Sequence, residues 1–318
     1  MKIVVLDGRG LNPGDLSWDV LRSFGDLEVY DRSNPDQITD RAKGAQIVLT
    51  NKTVITEDHF RDLPELRYIS LLSTGTNVID LAAARKYGVD VSNIPSYSTE
   101  SVVQSTFAHL LNLFSRIAEE TSFVKNGEWS AWPDFCHWGG PLRELDGKTL
   151  GIIGFGTIGR RVAEVARAFK LNVLVYGPHL PIGLVLDGAL AVDLNELYRR
   201  SDVISLHCPL GAKNRKMINA DRIALMKDGV YLINTARGLL IDDEAVAEAL
   251  NSGKIAGYGT DVLCEEPPVH STPLLSAKNC WITPHNAWGT REARLRLMDI
   301  LAENIRAFIE GKPQNIVN

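Results

Sequence analysis

A glycine-rich turn in the middle of the chain has the residue types and spacing of a phosphate-binding loop. It reads Gly154-Phe155-Gly156-Thr157-Ile158-Gly159, after an apolar strand pattern at 150–153 and before an amphipathic helix pattern. In that frame Gly154 permits the tight turn, Gly156 lets a pyrophosphate approach, and Gly159 lets helix and strand pack closely. The N–H groups of Thr157 and Ile158 at the helix start would face the anion. The pattern predicts a dinucleotide-binding site, with a tight turn that binds no ligand as the alternative.

The end of the next strand pattern bears on which dinucleotide is bound. About twenty residues after the loop an acid normally binds the adenosine ribose hydroxyls, but this chain has Gly177 there. A lost hydrogen bond to a charged group costs about 1.5–3 kcal/mol, so NAD binding would weaken roughly 10- to 150-fold. The same loss removes a carboxylate that would repel a 2′-phosphate, yet the segment from Pro178 through His179 to Pro181 supplies no Arg to bind one. We expect NAD, with NADP left open and with Gly177 and His179 among the cofactor contacts; alternatively, Gly177 only helps the chain to turn.

Further motifs downstream complete a pattern that is far more specific than the glycines. They are Asn234-Thr235-Ala236-Arg237-Gly238, Thr260-Asp261-Val262, Glu265-Glu266-Pro267 and Thr283-Pro284-His285, with Ser73-Thr74-Gly75-Thr76-Asn77-Val78-Ile79-Asp80 near the start. Together with the glycine turn they closely resemble the D-isomer-specific 2-hydroxyacid dehydrogenase family over almost the whole chain. Within that family the pattern looks most like the glycerate dehydrogenases, which reduce hydroxypyruvate or glyoxylate.

The resemblance implies three catalytic residues. Reducing a 2-keto acid needs hydride at the carbonyl carbon, a proton for the oxygen and a cation for the carboxylate. By the resemblance, Arg237 holds the carboxylate and polarises the carbonyl, His285 gives the proton, and Glu266 bonds the imidazole. The fixed donors of a guanidinium suit a planar carboxylate, and a carboxylate beside an imidazole stabilises its charged form. The alternatives are a structural ion pair for Arg237, a solvated acid beside Glu265 for Glu266, and a packed or capping histidine for His285.

The remaining substrate-binding candidates lie early in the chain. The resemblance implies that the backbone N–H groups of Thr74, Gly75 and Thr76 receive the other end of the substrate carboxylate, in a nest that glycine makes possible. Lys52 ends a strand pattern and is a candidate for tuning substrate choice, with a plain surface lysine as the alternative.

Cofactor contacts are also expected where other parallel strands end, because ligands bind at the carboxyl edge of such sheets. The candidates are His207-Cys208-Pro209, with His207 itself structural, and Thr235-Ala236. Asp261 resembles the family's contact to the nicotinamide amide, and a buried structural acid at a strand end is the alternative.

Alternating strand and helix patterns must position these residues. The strand patterns include 3–6, 47–49, 68–72, 149–153, 172–176, 203–207, 230–234 and 257–261, and the helix patterns include 15–24, 35–43, 78–87, a long one from about 99, and 290–310. Such alternation predicts parallel sheets, hence an α/β fold with two doubly wound domains. The resemblance adds that a Rossmann cofactor domain, residues 100–285, is inserted in a flavodoxin-like substrate domain, residues 1–99 and 286–318, with the active site in the cleft.

A Trp-rich segment, residues 126–147, interrupts the alternation. It contains Trp129, Trp132, Phe135 and Trp138. The family suggests an arm that reaches a second subunit, and aromatic enrichment fits an interface. We expect a homodimer, with simple core packing of the segment as the alternative.

Composition excludes several other classes of protein. The chain has 318 residues, 45% of them hydrophobic, and 34 basic against 39 acidic side chains give a net charge of −5. Without a long basic run or a long apolar stretch, neither nucleic acid nor a membrane is an expected partner. The four scattered cysteines indicate reduced thiols in the cytoplasm and no metal site. The leading hypothesis is therefore an oxidoreductase for a small D-2-hydroxy acid; the rival is an NAD(H)-binding sensor or corepressor-like interaction protein with little turnover.

Overall fold

The computed structural model describes all 318 residues, which form two compact units, residues 1–98 with 289–318 (unit 1) and residues 99–288 (unit 2). The strands are β1 Lys2–Val5, β2 Asp26–Val29, β3 Ile47–Thr50, β4 Tyr68–Leu71, β5 Asp90–Ser92, β6 Thr149–Ile153, β7 Asn172–Tyr176, β8 Val185–Leu186, β9 Ala189–Ala191, β10 Val203–Leu206, β11 Val230–Asn234, β12 Ile255–Thr260 and β13 Cys280–Ile282. The α-helices are α1 Asp19–Arg22, α2 Ile38–Ala42, α3 Glu57–Asp62, α4 Leu81–Lys86, α5 Thr99–Ser115, α6 Ile117–Lys125, α7 Thr157–Ala168, α8 Leu194–Arg200, α9 Ala220–Leu225, α10 Asp243–Ser252 and α11 Arg291–Ile309.

Unit 1 is built on a five-stranded parallel sheet of order β2-β1-β3-β4-β5. This is the flavodoxin-like order, in which the direction of winding reverses between β1 and β3. Every residue of β3 and β4 is buried, as expected for strands covered on both faces. The last helix, α11, belongs to this unit, and its Phe308 ring stacks on Tyr68 of β4 at 4.4 Å between centroids.

Unit 2 is built on an eight-stranded sheet of order β13-β12-β11-β10-β6-β7-β9-β8. All neighbouring strands are parallel except β8, which forms an antiparallel hairpin with β9. The first strand, β6, lies in the middle, and the chain winds outward to β7 and β9 on one side and to β10 through β13 on the other. This is the doubly wound order of dinucleotide-binding folds, and it confirms the predicted α/β class.

Three early helices differ from their predicted bounds. Of the pattern at 15–24 only α1 is α-helical, because the Asn12 side chain accepts the N–H groups of Gly14 and Leu16 and holds the chain in a turn. Residues 35–37 form a 3₁₀ turn before α2. The predicted helix at 78–87 is α4, which starts later because Asp80 caps it by accepting the N–H of Ala83. None of the helices is both long and apolar enough to cross a membrane.

Candidate active site

The glycine turn lies between β6 and α7 in unit 2, and each glycine meets a different environment. Gly154 has φ +100°, and a Cβ there would lie 2.5 Å from the backbone nitrogen of Cys208. A Cβ on Gly159 would lie 2.1 Å from the carbonyl oxygen of Gly154, whereas one on Gly156 would meet no atom within 4 Å. The first and third glycines therefore let strand, turn and helix pack, and the second leaves an open approach to the backbone.

The start of α7 is suited to an anion. The helix begins at Thr157, and its N-cap residue, Gly156, has no side chain to accept the free N–H groups. A twelve-residue helix with uncapped N–H groups and open space before its first turn fits a pyrophosphate. The residues present thus fit a dinucleotide at this position, with Thr157 and Ile158 as donors.

Neighbouring strand ends place the other cofactor candidates at the same edge of the sheet. Gly177 follows β7, and a Cβ there would approach the Leu180 side chain to 3.2 Å; His179 is exposed beside it. His207 follows β10, and its Nε2 lies 2.8 Å from the Ser205 hydroxyl. Burial lowers the pKa of His207 to about 4, so the ring is neutral at neutral pH. Burial raises the pKa of the Cys208 thiol, which therefore stays protonated.

Arg237 lies after β11 and is exposed. The only hydrogen bond of its side chain is to the carbonyl of Ala236, the preceding residue, at 2.7 Å, and the side chain forms no ion pair. Arg237 therefore does not form the structural ion pair that is the alternative to a catalytic role for this residue. Asn234 fixes the turn, because its side chain donates to the Arg237 carbonyl at 2.9 Å and accepts the N–H of Ala236 at 3.0 Å. Thr235 contacts the hydroxyl of Thr106 at 3.2 Å. The guanidinium is free to bind an anion.

Gly238 brings the Arg237 turn against the acidic loop. A Cβ on Gly238 would lie 2.0 Å from the carbonyl of Leu263, so no other residue fits without moving that loop. In the loop, the N–H of Leu263 donates to Oε1 of Glu266 at 2.9 Å. This bond fixes the Glu266 carboxylate and leaves its second oxygen for another donor.

That second oxygen bonds Nδ1 of His285. Glu265, the neighbouring acid, points elsewhere and pairs with His270 at 2.9 Å. The Nε2 atom of His285 has no hydrogen-bond partner in the chain, and the side chain is partly exposed. An imidazole held at Nδ1 by a carboxylate and open at Nε2 has the geometry of a general acid–base group.

Asp261 holds the loop that carries His285. Its carboxylate accepts the hydroxyl of Thr283 at 2.6 Å and the N–H groups of Asn286 and Ala287 at 2.9 and 2.8 Å. With His285 at φ +50°, such anchoring offsets a backbone conformation that is unfavourable for a non-glycine residue. Asp261 therefore makes the contacts expected of a buried structural acid, which is the alternative to a contact with the nicotinamide amide.

Three residues of this support were not found from the sequence. Nε2 of the buried His109 on α5 lies 3.1 Å from the Thr283 hydroxyl, and the indole N–H of Trp288 donates to the His285 carbonyl at 2.9 Å. Burial lowers the pKa of His109. The motif Thr283-Pro284-His285 does not by itself predict a role for Thr283. No local signal marks His109, because its spacing is that of an ordinary residue on the buried face of a helix.

The loop Thr74-Gly75-Thr76 and Lys52 lie in unit 1. The N–H groups of the three loop residues donate to no acceptor in the chain, while the Thr74 hydroxyl donates to the Ile94 carbonyl at 2.7 Å and Asn93 donates to the Thr74 carbonyl at 2.8 Å. Lys52 is exposed.

Comparison with known proteins agrees with this geometry. The family model described as D-isomer specific 2-hydroxyacid dehydrogenase, NAD binding domain, matches residues 107–287. The hydroxypyruvate reductase of Blautia hydrogenotrophica is 44% identical over 321 residues, covering 100% of both chains. The glycerate dehydrogenase of Methylorubrum extorquens is 36% identical over 99% of this chain and 98% of its own. A D-lactate dehydrogenase from Aquifex aeolicus, solved with NAD and lactic acid, superposes with a TM-score of 0.83 at 33% identity over 98% of this chain and 96% of its own.

A doubly wound domain with a phosphate-binding turn, together with a carboxylate-held histidine and a free arginine, defines a nicotinamide-dependent oxidoreductase. The chain belongs to the D-isomer-specific 2-hydroxyacid dehydrogenase family. It is an enzyme that transfers a hydride between a nicotinamide cofactor and a small D-2-hydroxy acid or its 2-keto partner.

Proposed function

We propose that this enzyme is an NAD-linked D-glycerate dehydrogenase, acting as a hydroxypyruvate and glyoxylate reductase. One observation carries the proposal: His285, held by Glu266, and the unpaired Arg237 are presented by loops that pack together in unit 2. The similarity to a hydroxypyruvate reductase and a glycerate dehydrogenase along the full chain supports this substrate class.

In the proposed reaction the chain's own groups bind the keto acid and supply the proton. Arg237 binds the carboxylate and polarises the carbonyl, since its fork of donors has no competing acid. The free N–H groups of Thr74, Gly75 and Thr76 in unit 1 are suited to donate to a carboxylate. Nε2 of His285 donates a proton to the carbonyl oxygen during reduction and removes it during oxidation. The bound nicotinamide supplies or accepts the hydride. We assign the substrate role to residues 1–99 and 286–318 and the cofactor role to residues 100–285.

Initial rates test this proposal. NADH and NADPH are each combined with hydroxypyruvate, glyoxylate and pyruvate, and the loss of absorbance of the reduced cofactor is followed. We expect the largest kcat/KM with NADH and hydroxypyruvate, then glyoxylate, with pyruvate lowest. A preference for pyruvate would contradict the assignment as a glycerate dehydrogenase. If the protein bound the cofactor but turned over none of the six pairs, the result would favour the alternative function, an NAD(H)-binding sensor.

The Gly177→Asp variant tests the cofactor preference. A carboxylate at the end of β7 would bind ribose hydroxyls and repel a 2′-phosphate, so we expect NADH to bind about tenfold more tightly and NADPH at least tenfold more weakly. Leu180 must move by a few tenths of an ångström to admit the side chain. Gly177→Ala introduces the same Cβ without the charge and is the matched control. Fluorescence titration of both cofactors measures the effect, and equal shifts in the two variants would show that the carboxylate is irrelevant.

We also propose that the Trp-rich segment, residues 126–147, joins two copies of the chain; together with the preceding helix α6, Ile117–Lys125, it is called the aromatic arm below. Phe123 stacks on the His137 ring at 3.7 Å, and Trp132 meets both rings edge-on. These contacts fold the arm on itself and leave Phe135 91% and Trp138 70% exposed. Large aromatic groups held outward on an ordered arm are typical of a protein interface rather than of a core.

Replacing both exposed aromatics tests the homodimer. We expect Phe135→Ser/Trp138→Ser to weaken dimerisation by about 100-fold or more, since buried aromatic anchors each contribute about 2 kcal/mol or more to an interface. Sedimentation velocity over a concentration series measures the monomer fraction. Ile182→Ser, which removes a 70% exposed side chain elsewhere in unit 2, is the control. A wild-type protein that sediments as a monomer would contradict the proposal.

We also propose that the protein is located in the cytoplasm. All four cysteines are free thiols in the structure. Chains that fold in oxidising compartments commonly pair their cysteines, so unpaired thiols favour a reducing one.

A further inference from the structure

A cavity of about 470 Å³ opens in unit 1 at the carboxyl ends of β1, β2 and β3. It lies where the winding of the sheet reverses between β1 and β3. Open α/β sheets bind ligands at such reversals, because the loops on either side diverge and leave a crevice. Neither the Thr74-Gly75-Thr76 loop nor any residue of unit 2 lines it.

The acid in the floor of this cavity, Asp7, is held by the loop that follows β3. The Asp7 carboxylate accepts the N–H groups of Asn51, Lys52 and Thr53 at 2.8, 2.6 and 2.8 Å. It also accepts the hydroxyls of Thr53 at 3.0 Å and Thr50 at 3.2 Å. Asp7 therefore fixes the loop after β3, chiefly through Oδ2, while Oδ1 accepts only the N–H of Asn51.

The rim of the cavity is cationic. Arg9, Arg32 and Lys52 come from three different loops, all three are exposed, and none forms an ion pair. Asp31 is the single rim acid. Behind the rim, Arg41 donates to the Ser33 hydroxyl at 2.7 Å and adds a further positive charge. The cations outnumber the two acids of the cavity, Asp31 on the rim and Asp7 in the floor, and this excess favours an anionic ligand.

Asn51 gives the cavity an unused polar group. The residue is only 7% exposed and lines the cavity, yet its side-chain amide has no hydrogen-bond partner in the chain. Its Nδ2 lies on the side of the cavity facing Gly10, 3.8 Å from where a Cβ of Gly10 would stand. The amide is not sealed off from the cavity, so it is open there to donate to an acceptor of a ligand.

We propose that the cavity binds the phosphate group of a small ligand, either inorganic phosphate or a phosphate monoester. Arg9, Arg32 and Lys52 surround the phosphate oxygens, and the Asn51 amide donates to one of them. Guanidinium groups match phosphate geometry, and the dianion balances the excess of rim cations. Lys52 then serves this site rather than the choice of keto acid.

Phosphate binding to the cofactor-free full chain tests the proposal apart from catalysis. Melting temperature is followed against inorganic phosphate and, separately, glycerol 3-phosphate, each at an ionic strength matched with chloride. We expect saturable stabilisation by at least one of them. Stabilisation that the Arg9→Gln/Arg32→Gln variant loses belongs to the cavity and not to the start of α7. Such stabilisation by the monoester identifies a phosphorylated metabolite as the ligand, and by inorganic phosphate alone it identifies the free ion. No saturable effect beyond chloride with either would overturn the site.

Variants locate the binding. Arg9→Gln/Arg32→Gln is expected to raise the phosphate Kd at least tenfold, and Asn51→Leu several-fold. Arg85→Gln, which removes an exposed cation of α4 in the same unit away from the cavity, is the control and is expected to leave the Kd unchanged. Equal losses in Arg85→Gln and the double variant would mean that net charge alone explains binding and would refute the site. Because no keto acid or cofactor is present, this result is independent of the rate assays.

Discussion

His285→Ala is expected to lower kcat by about 10²- to 10⁴-fold, the range typical for loss of a general acid–base group. Cofactor affinity is expected to stay nearly the same, since the glycine turn between β6 and α7 is remote in sequence and the imidazole is not part of it. The physical reason is the open Nε2 atom, which has no partner in the chain, on a ring held at Nδ1 by Glu266. Pre-steady-state reduction rates and NADH titration separate the two quantities.

The chain offers a matched control for this variant. His270 is also bonded to a glutamate, Glu265, but is exposed on the same loop region. His270→Ala is expected to leave kcat within about twofold, because surface pairs of this kind contribute little. Glu266→Gln is expected to lie between the two, since an amide still orients the ring but no longer stabilises its charged form. A fully active His285→Ala enzyme would show that another group supplies the proton.

Local sequence rules were sufficient for the cofactor turn. The glycine spacing between a strand pattern and a helix pattern predicts this turn without tertiary information. In the structure Gly159 is required by a contact within the unit, Gly154 also by the backbone of Cys208 after β10, and Gly156 by no contact within the chain. The two-sheet α/β class followed for a similar reason, because strand and helix periods are local properties. The bounds of α1 did not follow, since the Asn12 side chain competes with the helix for backbone N–H groups.

The support of the catalytic loop could not be predicted, because it is made across large sequence separations. His109 and Thr283 are 174 positions apart, and Asp261 holds a segment 22 to 26 positions later. The need for glycine at position 238 could not be predicted either. Only the folded structure shows that the backbone of Leu263 occupies the space where a side chain would stand. The sequence motifs therefore mark which residues matter, and the tertiary contacts determine why each must be where it is.

Arg237 is available to bind a substrate because its side chain forms no ion pair within the chain. The side chain stands at the end of β11 with only the Ala236 carbonyl as a partner, and Gly238 holds its turn against the loop of Glu266. A guanidinium that is already exposed and free of carboxylates loses no ion pair when a substrate binds. The same freedom means that its removal should not destabilise the fold.

Arg237→Gln is therefore expected to lower kcat/KM by roughly 10³-fold or more with little change in melting temperature. Removing one preorganised donor at a developing oxyanion costs roughly 10²- to 10³-fold, and losing a hydrogen bond to the carboxylate costs about 1.5–3 kcal/mol more. We expect Arg237→Lys to recover only part of the activity, because an ammonium keeps the charge but not the fork of donors.

Steady-state kinetics with hydroxypyruvate, together with thermal unfolding, separates the two roles of Arg237. A rise in KM alone would mean that the guanidinium only binds the carboxylate, whereas a fall in kcat as well would mean that it also polarises the carbonyl. Arg199→Gln, an exposed cation of α8 in the same unit, is the control and should change neither value. If Arg237→Gln lowered the melting temperature by several degrees, the side chain would have a structural partner, and its assignment to substrate binding would fail.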